Sequence, residues 1–295
     1  MITAQLLFRA CHELAEAPIW HEGALWWVDI EGRTLSRGDI ESGAVIDMPL
    51  PCRVGAMVPC GDGRWLTANE YGFGLFDQAT GRLENLGGVF LSVPRLRMND
   101  GKCDPMGRFV AGTMHEDRHA GTAKLYSVDG ALAPRVVLEG LTISNGLGWS
   151  PDGLKFYHID TVQRRIDVYD YGVDAGLPAN RRTLARIPDK DGWPDGMAVD
   201  HEGNLWVALW GGAAVNCYDG RNGRLVNRIA CPVTQPSSCC FGGKRMDQLF
   251  ITSARQGLTD EQLKGGDFLA GSVFVARPGP LGLPVNTFQI KEQSA

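Results

Sequence analysis

A glycine-centred turn followed by an apolar or aromatic strand recurs six times along the chain, and it constrains the fold more than any other feature. The turn glycines are Gly23, Gly63, Gly107, Gly153, Gly203 and Gly243. Successive turns are therefore 40 to 50 residues apart, which is about the 40–50 residues of a four-stranded propeller blade with its loops. Six such units fill residues 1–295 without a linker. The sequence predicts one domain, an all-β six-bladed β-propeller with four-stranded antiparallel blades.

The segments between the turns support many short strands. Glycine accounts for 38 of 295 residues, about 13% against a typical ~7%, which is expected of a chain with many tight turns. Alternating or apolar runs bounded by Gly, Asp and Pro predict hairpin strands, for example at residues 74–77, 124–128, 134–138 and 166–169. The best helical segment is 259–264, where Thr259 and Gln262 suit a capping box.

The first residues of the chain also read as a strand. Residues 5–9 precede the first blade, and we expect them to join the last blade and close the ring. Closure by one terminus would protect the strand edges that an open ring leaves unpaired.

Charge and cysteine usage limit the possible partners and compartments. The net charge is −5, which argues against nucleic acid or an anionic membrane as a partner. No signal peptide and no apolar run of about 18 residues is visible. The eight cysteines form no CxxC pair, and adjacent Cys239 and Cys240 would make a poor disulfide. We expect reduced thiols in a cytoplasmic protein.

Polar residues recur at one position of the predicted inner strands. Counting back eight residues from the turn glycine, or seven in the first blade, gives oxygen-bearing side chains in four blades: Glu16, Asn99, Asn145 and Asp195. The other two blades carry Gly55 and Gln235. For any one of these residues, capping of a local turn is the simpler explanation. Their shared register favours a site at one mouth of the central channel.

Two carboxylates and two amides would then share a narrow channel. The two like-charged carboxylates would repel each other and lose solvent, and both effects raise the pKa of a carboxyl group. A bound cation removes this conflict. Oxygen ligands suit Ca²⁺, Mg²⁺, Mn²⁺ or, with few ligands, Zn²⁺. No histidine lies on the register. His158, on the second strand of the fourth blade, either lines the cavity or packs within its sheet.

Around these positions the chain resembles the SMP-30/gluconolactonase/regucalcin family. The resembling stretches are spread over blades one, three, four and five, and they are Leu14-Ala15-Glu16-Ala17-Pro18, Arg97-Met98-Asn99-Asp100-Gly101-Lys102, Gly112-Thr113-Met114, Ser144-Asn145-Gly146-Leu147 and Pro194-Asp195-Gly196-Met197. Residues 156–161 and 208–212 are most similar to bacterial sugar lactonases. The resemblance therefore covers nearly the whole chain.

The resemblance implies a six-bladed propeller and a single divalent ion, Ca, Zn, Mn, Mg or Fe, held by Glu16, Asn145 and Asp195. It also implies that Arg97 and Asn99 contact substrate, and that Glu116 roughly matches another contact position. Glu116 falls in a loop of variable length. One departure is that Ala15 and Ala17 flank Glu16 where the family usually has glycines.

The activity implied by the resemblance is hydrolysis of a sugar lactone, a small-molecule substrate, to the aldonic acid. Asp195 is the candidate general base, since it can ligate a metal through one oxygen and accept a proton at the other. Arg97 could stabilise an oxyanion, hold a hydroxyl group or form a surface ion pair. Trp193, Trp210 and Tyr71 are candidate walls for a sugar face, with packing as the equal alternative.

Two alternatives remain on the same scaffold. One is a phosphotriesterase-like hydrolase with the same metal and a more apolar pocket. The other is a calcium-binding regulator or interaction module without catalysis, although such a module needs no polar ring on its axis. A serine hydrolase and a nucleotide-dependent enzyme are disfavoured, since neither a Gly-x-Ser-x-Gly elbow nor a nucleotide-binding glycine motif is present. Which sugar and which metal are used, and the oligomeric state, stay open.

Overall fold

A computed structural model describes residues 2–87 and 93–290. Six β-sheets surround a common axis, and in each of them the strands that follow one another along the chain pair antiparallel. Two of the sheets also take up a strand from the N-terminus at their outer edge. The innermost strand of every sheet contacts the innermost strand of the next sheet, and the last contacts the first. These contacts close the ring, so the predicted six-bladed β-propeller is confirmed.

The first three blades follow one another along the chain, each running from its inner to its outer strand. Blade one contains β3 to β6, at Ala15–His21, Ala24–Asp29, Thr34–Gly38 and Val45–Pro49. Blade two contains β7 to β10, at Val54–Pro59, Arg64–Asn69, Gly72–Asp77 and Arg82–Asn85. Blade three contains β11 to β14, at Leu96–Cys103, Phe109–His115, Ala123–Val128 and Pro134–Leu141.

The remaining blades include the two N-terminal strands, β1 (Ile2–Thr3) and β2 (Gln5–Phe8). Blade four contains β15 to β18, at Ser144–Trp149, Lys155–Asp160, Arg165–Gly172 and Leu177–Arg186. Blade five contains β19 to β22, at Trp193–Val199, Asn204–Trp210, Ala214–Asp219 and Leu225–Ala230, with β1 added outside. Blade six contains β23 to β25 and then β2, with β23 to β25 at Pro236–Gly242, Gln248–Ser253 and Val273–Ala276.

The six repeated turns owe their shape to glycine. All six turn glycines have φ between 73° and 84°, a left-handed conformation that glycine adopts without the steric cost of a Cβ atom. Each of these turns joins the inner strand of its blade to the second strand. They therefore all lie at one end of the propeller, and the starts of the inner strands lie at the other.

The N-terminus closes the ring as the sequence predicts. Strand β2 pairs antiparallel with β25 as the outer strand of blade six, with Gln5 opposite Val275. Phe8 is buried and stacks on Trp27 of blade one, with 5.6 Å between ring centroids. The sequence did not predict β1, which pairs in parallel with β22 of blade five. Residues 2–8 thus link three blades.

The expected helix and the expected thiols are both found. Helix α1 spans Asp260–Lys264, and the reciprocal capping box of Thr259 and Gln262 is formed. Two short 3₁₀ turns occupy Thr161–Gln163 and Asp189–Asp191. All eight cysteines are free, and only Cys11 is exposed. Across residues 2–87 and 93–290, no helix is long and apolar enough to cross a membrane.

The C-terminal segment, residues 277–290, crosses the end of the propeller where the repeated turns lie. It begins at blade six, where the Gly282 amide donates to the Met246 oxygen (2.7 Å), and the Leu281 oxygen accepts from the His201 amide of blade five (2.9 Å). It ends at blade two, where the Phe288 amide donates to the Pro59 oxygen (3.1 Å). The segment therefore runs from one side of the ring to the other.

Substitution in the closing strand tests whether it carries stability. Phe8→Ala should lower the free energy of unfolding by about 3–5 kcal/mol, since it removes a buried aromatic side chain between two blades. Leu6→Ala on the same strand is the control, because Leu6 is 41% exposed, and it should change stability by less than about 0.5 kcal/mol. Urea unfolding of both variants measures this. Equal effects would contradict a closing role for Phe8.

Candidate metal centre

All six inner strands are interrupted at the same level. The pairing of each with its neighbour shifts near the strand start, between Glu16 and Ile19, Val54 and Ala56, Met98 and Gly101, Asn145 and Leu147, Pro194 and Met197, and Pro236 and Cys239. Such β-bulges bend a strand and redirect side chains. The predicted register residues Glu16, Asn99, Asn145 and Asp195 lie in or beside these bulges and are all buried.

Neighbouring inner strands approach so closely here that three positions exclude a side chain. A Cβ atom on Gly55 would lie 2.4 Å from the Asn99 main-chain oxygen, and one on Gly146 would lie 2.5 Å from the Asp195 oxygen. A Cβ on Gly196 would lie 2.1 Å from the Ser238 hydroxyl. Blade two therefore contributes no side chain on the register.

Gln235, the other exception on the register, binds its own loop. Its amide donates to the main-chain oxygens of Ala254 (3.3 Å) and Gln256 (3.1 Å). These hydrogen bonds hold the Gln235 side chain against its own loop, so it does not join the cluster of the four other register residues.

Three carboxyl groups interact on the axis. Burial, followed by the charges of Asp195 and Asp100, raises the pKa of Glu16 well above its usual range. Burial and Asp100 likewise raise the pKa of Asp195, and burial raises that of Asp100. The sequence analysis missed Asp100. The available signal was its place beside Asn99 in the same bulge.

Arg97 and Asn99 form a buried pair. One guanidinium nitrogen of Arg97 donates to the Asn99 side-chain oxygen and to the Met98 carbonyl, both at 2.9 Å. The Asn99 amide then donates to the Ser144 carbonyl of the next blade (3.0 Å). Burial lowers the pKa of Arg97. No described carboxylate comes within 4.0 Å of its guanidinium, so this cation lacks a direct ionic partner.

The Asn145 side chain is held by two neighbours but leaves one atom unpaired. Its amide nitrogen donates to the Asp195 carboxylate and to the Thr161 hydroxyl (3.1 Å). The Thr161 hydroxyl in turn donates to the Pro194 carbonyl (2.9 Å). The Asn145 side-chain oxygen is buried and, among the described residues, has no hydrogen-bond partner. One oxygen of Asp100 and the Ser238 hydroxyl are unpaired in the same way.

These features fit a divalent cation. The carboxylates disfavour one another's ionised form, whereas a cation between them would favour it. An unpaired buried amide oxygen costs about 1–3 kcal/mol, and coordination would satisfy it. Glu16, Asn145 and Asp195 supply oxygen donors only, a set suited to hard cations such as Ca²⁺ or Mg²⁺. Both the oxygen-only donor set and the unpaired amide oxygen therefore favour a divalent cation at this site.

Glu116 lies at the rim of this site within a network of ion pairs. Its carboxylate contacts Arg53 at 2.6 Å and Arg95 at 3.5 Å. Arg53, which the sequence analysis missed, also contacts Glu70 at 2.9 Å and Glu31 at 3.6 Å. Partial burial opposes ionisation of Glu116, but the Arg53 hydrogen bond together with the charges of Arg53, Arg97 and Arg95 outweighs burial and lowers the pKa of Glu116. Glu116 is therefore held as a carboxylate.

The three candidate aromatic walls differ in exposure. Tyr71 is 61% and Trp193 is 36% exposed, whereas Trp210, which pairs with Trp193 between strands, is half-buried. The Arg164 guanidinium lies 3.5 Å over the Trp193 ring, a cation–π contact. Trp193 starts an inner strand and Trp210 ends a second strand, so both lie at the carboxylate end of the propeller.

His158 lies on the second strand of blade four, and its side chain contacts the inner strand of the same blade. It is 1% exposed, and its Nε2 lies 2.9 Å from the Ser144 hydroxyl, next to Asn145 in sequence. Burial lowers the pKa of His158 to about 4, so the ring is neutral at physiological pH. Of the two alternatives for this residue, packing within the blade is the one observed.

A second group of possible metal ligands lies away from the register. His115, Asp117 and His119 have ligand atoms within 4.8 Å of one another. However, Asp117 pairs with Arg95 at 3.1 Å, and the Nδ1 of His115 accepts a hydrogen bond from the Asp117 amide at 3.1 Å. These contacts already satisfy the two residues. The axial site, where Asn145 and Asp100 each leave one buried oxygen unpaired, is the stronger candidate centre.

Comparison with known proteins gives consistent matches. The profile of a family described as "SMP-30/Gluconolactonase/LRE-like region" matches residues 14–255. An L-arabinolactonase of Azospirillum brasilense is 37% identical over 293 residues, 97% of this chain and 95% of that protein. Regucalcin of Danio rerio is 35% identical over 266 residues, 89% of this chain and 90% of that protein.

A solved structure shares the whole fold. The crystal structure of a calcium-binding protein, regucalcin, from Agrobacterium tumefaciens superimposes with a TM-score of 0.91. Its sequence is 28% identical, and the match covers 97% of each chain.

The raised carboxyl pKa values predict how pH affects the metal-free protein. The folded state holds protons on Glu16 and Asp195 that the unfolded chain releases above the ordinary carboxyl range, so stability should fall as the pH rises above that range. Asp195→Asn removes one charge. At pH 8 it should raise the melting temperature of the metal-free protein, because it removes one of the mutually repelling carboxylates, and a gain of about 1 kcal/mol in a chain of this size corresponds to about 2 °C.

Thermal melts with and without a chelator measure both effects. Exposed Asp62 lies at the opposite end of the propeller, so Asp62→Asn is the matched control and should not raise the melting temperature. Added divalent cation should stabilise the unsubstituted protein but not Asp195→Asn. A lower melting temperature for metal-free Asp195→Asn at pH 8 would contradict the electrostatic argument.

Proposed function

Because the chain belongs to the family of SMP-30, gluconolactonase and LRE-like proteins, we propose that it hydrolyses a sugar lactone to the aldonic acid. The observation that carries this proposal is the buried axial cluster of Glu16, Asn145 and Asp195, with an unpaired amide oxygen and two carboxyl groups of raised pKa. The similarity to an L-arabinolactonase favours a sugar lactone over other esters.

Glu16, Asn145 and Asp195 would hold one divalent cation, either Ca, Zn, Mn, Mg or Fe. When bound, such an ion polarises a carbonyl group and lowers the pKa of water. The protein holds the ligand side chains in position before the ion binds. Thr161 holds the Asn145 amide, and the Glu16 carboxylate accepts from the Ala17 amide at 3.3 Å.

Asp195 is the proposed general base. One of its oxygens accepts from the Asn145 amide, which leaves the other to take a proton from the attacking water. A cation held beside Asp195 would favour the ionised form of this carboxyl group, which is the form that accepts a proton. The water oxygen bonds to the carbonyl carbon and the ring carbon–oxygen bond breaks. The ring oxygen then takes up the proton and becomes a hydroxyl group.

Arg97 and Asn99 are the proposed contacts to the lactone. The Arg97 guanidinium is buried and without a direct carboxylate partner, so it can stabilise the oxyanion that develops during attack. Asn99 fixes its position through the 2.9 Å hydrogen bond. At the rim, the Glu116 carboxylate is suited to accept hydrogen bonds from sugar hydroxyl groups, with Trp193 and Tyr71 as exposed aromatic surfaces nearby.

A calcium-binding protein without catalysis is the second candidate. It is favoured by the solved structure described as a calcium-binding protein, regucalcin, and by the 35% identity to regucalcin of Danio rerio. The two functions share one cation site. They differ only in whether lactones are turned over when the cation is bound.

A lactone panel tests the activity. Cation-loaded protein should release acid from at least one pentono- or hexonolactone above the spontaneous rate, and chelated protein should not. A pH indicator in weak buffer follows the reaction. Cation binding by calorimetry without turnover of any lactone would favour the second candidate over the first.

Replacing the base tests its assignment. Asp195→Ala should reduce kcat/KM by at least about 10²-fold, since loss of a general base costs about 10²–10⁴-fold. Asp62→Ala at the far end of the propeller is the control and should retain full activity. Circular dichroism should show an unchanged fold in both. Activity retained in Asp195→Ala would exclude Asp195 as the base.

A further inference from the structure

The central channel contains a second cavity, at the end opposite the carboxylates. Its volume is about 380 Å³. Inner strands of all six blades line it, together with residues 283–286 of the C-terminal segment. Glu16, Asn145 and Asp195 are not among its lining residues. The cavity is therefore separate from the candidate metal centre, although both lie on one axis.

The wall of this cavity is mostly apolar. Each blade contributes at least one apolar residue, and one example from each is Ile19, Met57, Cys103, Leu147, Val199 and Phe241. Leu283, Pro284 and Val285 cover part of its outer end. Cavities of 300–1,000 Å³ with an apolar wall and a few polar groups are typical small-molecule sites.

Lys102 is the one cationic side chain among the residues lining the cavity. Its ammonium group donates to the main-chain oxygen of Met197, a neutral partner. Met197 lies two residues beyond Asp195 on β19, so the ammonium lies at the inner end of the cavity. No carboxylate of the described chain is within 4.0 Å of it.

Among the described residues that line the cavity, Asp152 is the only carboxylate, and its hydrogen bonds are local. It accepts from the Ser150 hydroxyl at 2.5 Å and from the Leu154 amide at 3.0 Å, which fixes it in the turn of blade four. The cavity thus combines an apolar wall with a cation at its inner end and no direct counter-ion for that cation.

We propose that this cavity binds a small monocarboxylate with an unbranched apolar chain of about eight carbons, a length compatible with sites of this size. The carboxylate binds the Lys102 ammonium, and the chain lies along the apolar wall towards the C-terminal segment. A charge-assisted hydrogen bond provides orientation. Burial of the chain provides affinity, and each buried methylene strengthens binding about fourfold.

Calorimetric titration of the full-length protein with octanoate, octan-1-ol and octylammonium tests the proposal. Mg²⁺ is present in each titration, so that the nearby axial carboxylates are neutralised. Octanoate should bind at one site per chain, about tenfold or more tightly than octan-1-ol, since a hydrogen bond to a charged group gives such a preference. Octylammonium should bind most weakly. Absent octanoate binding, or equal binding of all three, overturns the proposal.

Two variants locate the site. Lys102→Met should reduce octanoate affinity to that of octan-1-ol. Val199→Phe fills the cavity and should abolish binding, whereas Val226→Phe, on an outer strand where Val226 is 51% exposed, should bind normally. If Val199→Phe fails to fold, Lys102→Met decides. An unchanged preference for octanoate in Lys102→Met overturns the assignment.

A last variant separates this site from the candidate metal centre. Octanoate binding should persist in Asp195→Asn, because that substitution leaves the cavity wall intact and removes a neighbouring negative charge. Loss of binding in Asp195→Asn would place octanoate at the metal centre instead. Lactone turnover is measured separately, so failure of either proposal leaves the other open to its own test.

Discussion

The close approach of the six inner strands around the axis sets most of the properties of this protein. Where the strands are nearest, a Cβ atom on Gly55 or Gly146 would collide with the main chain of the neighbouring blade. The same crowding coincides with a bulge in every inner strand. Bulged strands redirect side chains, and in a narrow channel these side chains are shielded from water. Crowding at the axis thus produces the buried polar cluster.

Burial then determines the electrostatics. Carboxyl groups that would ionise freely at the surface have raised pKa values on the axis, and Arg97 has a lowered one. The two halves of the channel differ as a result. The half at the strand starts contains unpaired oxygens and charged groups, whereas the other half is lined by apolar side chains around the single ammonium of Lys102. One scaffold therefore offers two candidate sites of opposite character.

The sequence predicted those features that repeat. Glycine spacing located the turns, because each turn needs a left-handed φ that glycine adopts without steric cost. Counting from those glycines located Glu16, Asn99, Asn145 and Asp195, since equivalent strands place equivalent residues at one level. The closing strand was also predictable, because a ring of blades must pair its edges.

Features that do not repeat could not be predicted in this way. Asp100 lies beside a register position, and only the bulge brings it towards the axis. Arg53 reaches Glu116 across 63 residues of sequence, and no local pattern reports such a contact. Ala17 adopts a φ of 46°, a left-handed conformation that glycine adopts more readily than alanine. An alanine at this position therefore did not predict that conformation. The roles of Glu16, Asn99, Asn145, Asp195, Arg97 and Glu116 remain predictions.

The closing strand has a consequence for the synthesis of the chain. Gln5 pairs with Val275, so the partner of strand β2 is synthesised about 270 residues later than β2 itself. At about 5–20 residues per second, that delay is roughly 15–50 s. Throughout it, the ring is open and two sheet edges are unpaired, which favours association between nascent chains. Protection during translation is therefore a requirement that this topology imposes on the cell.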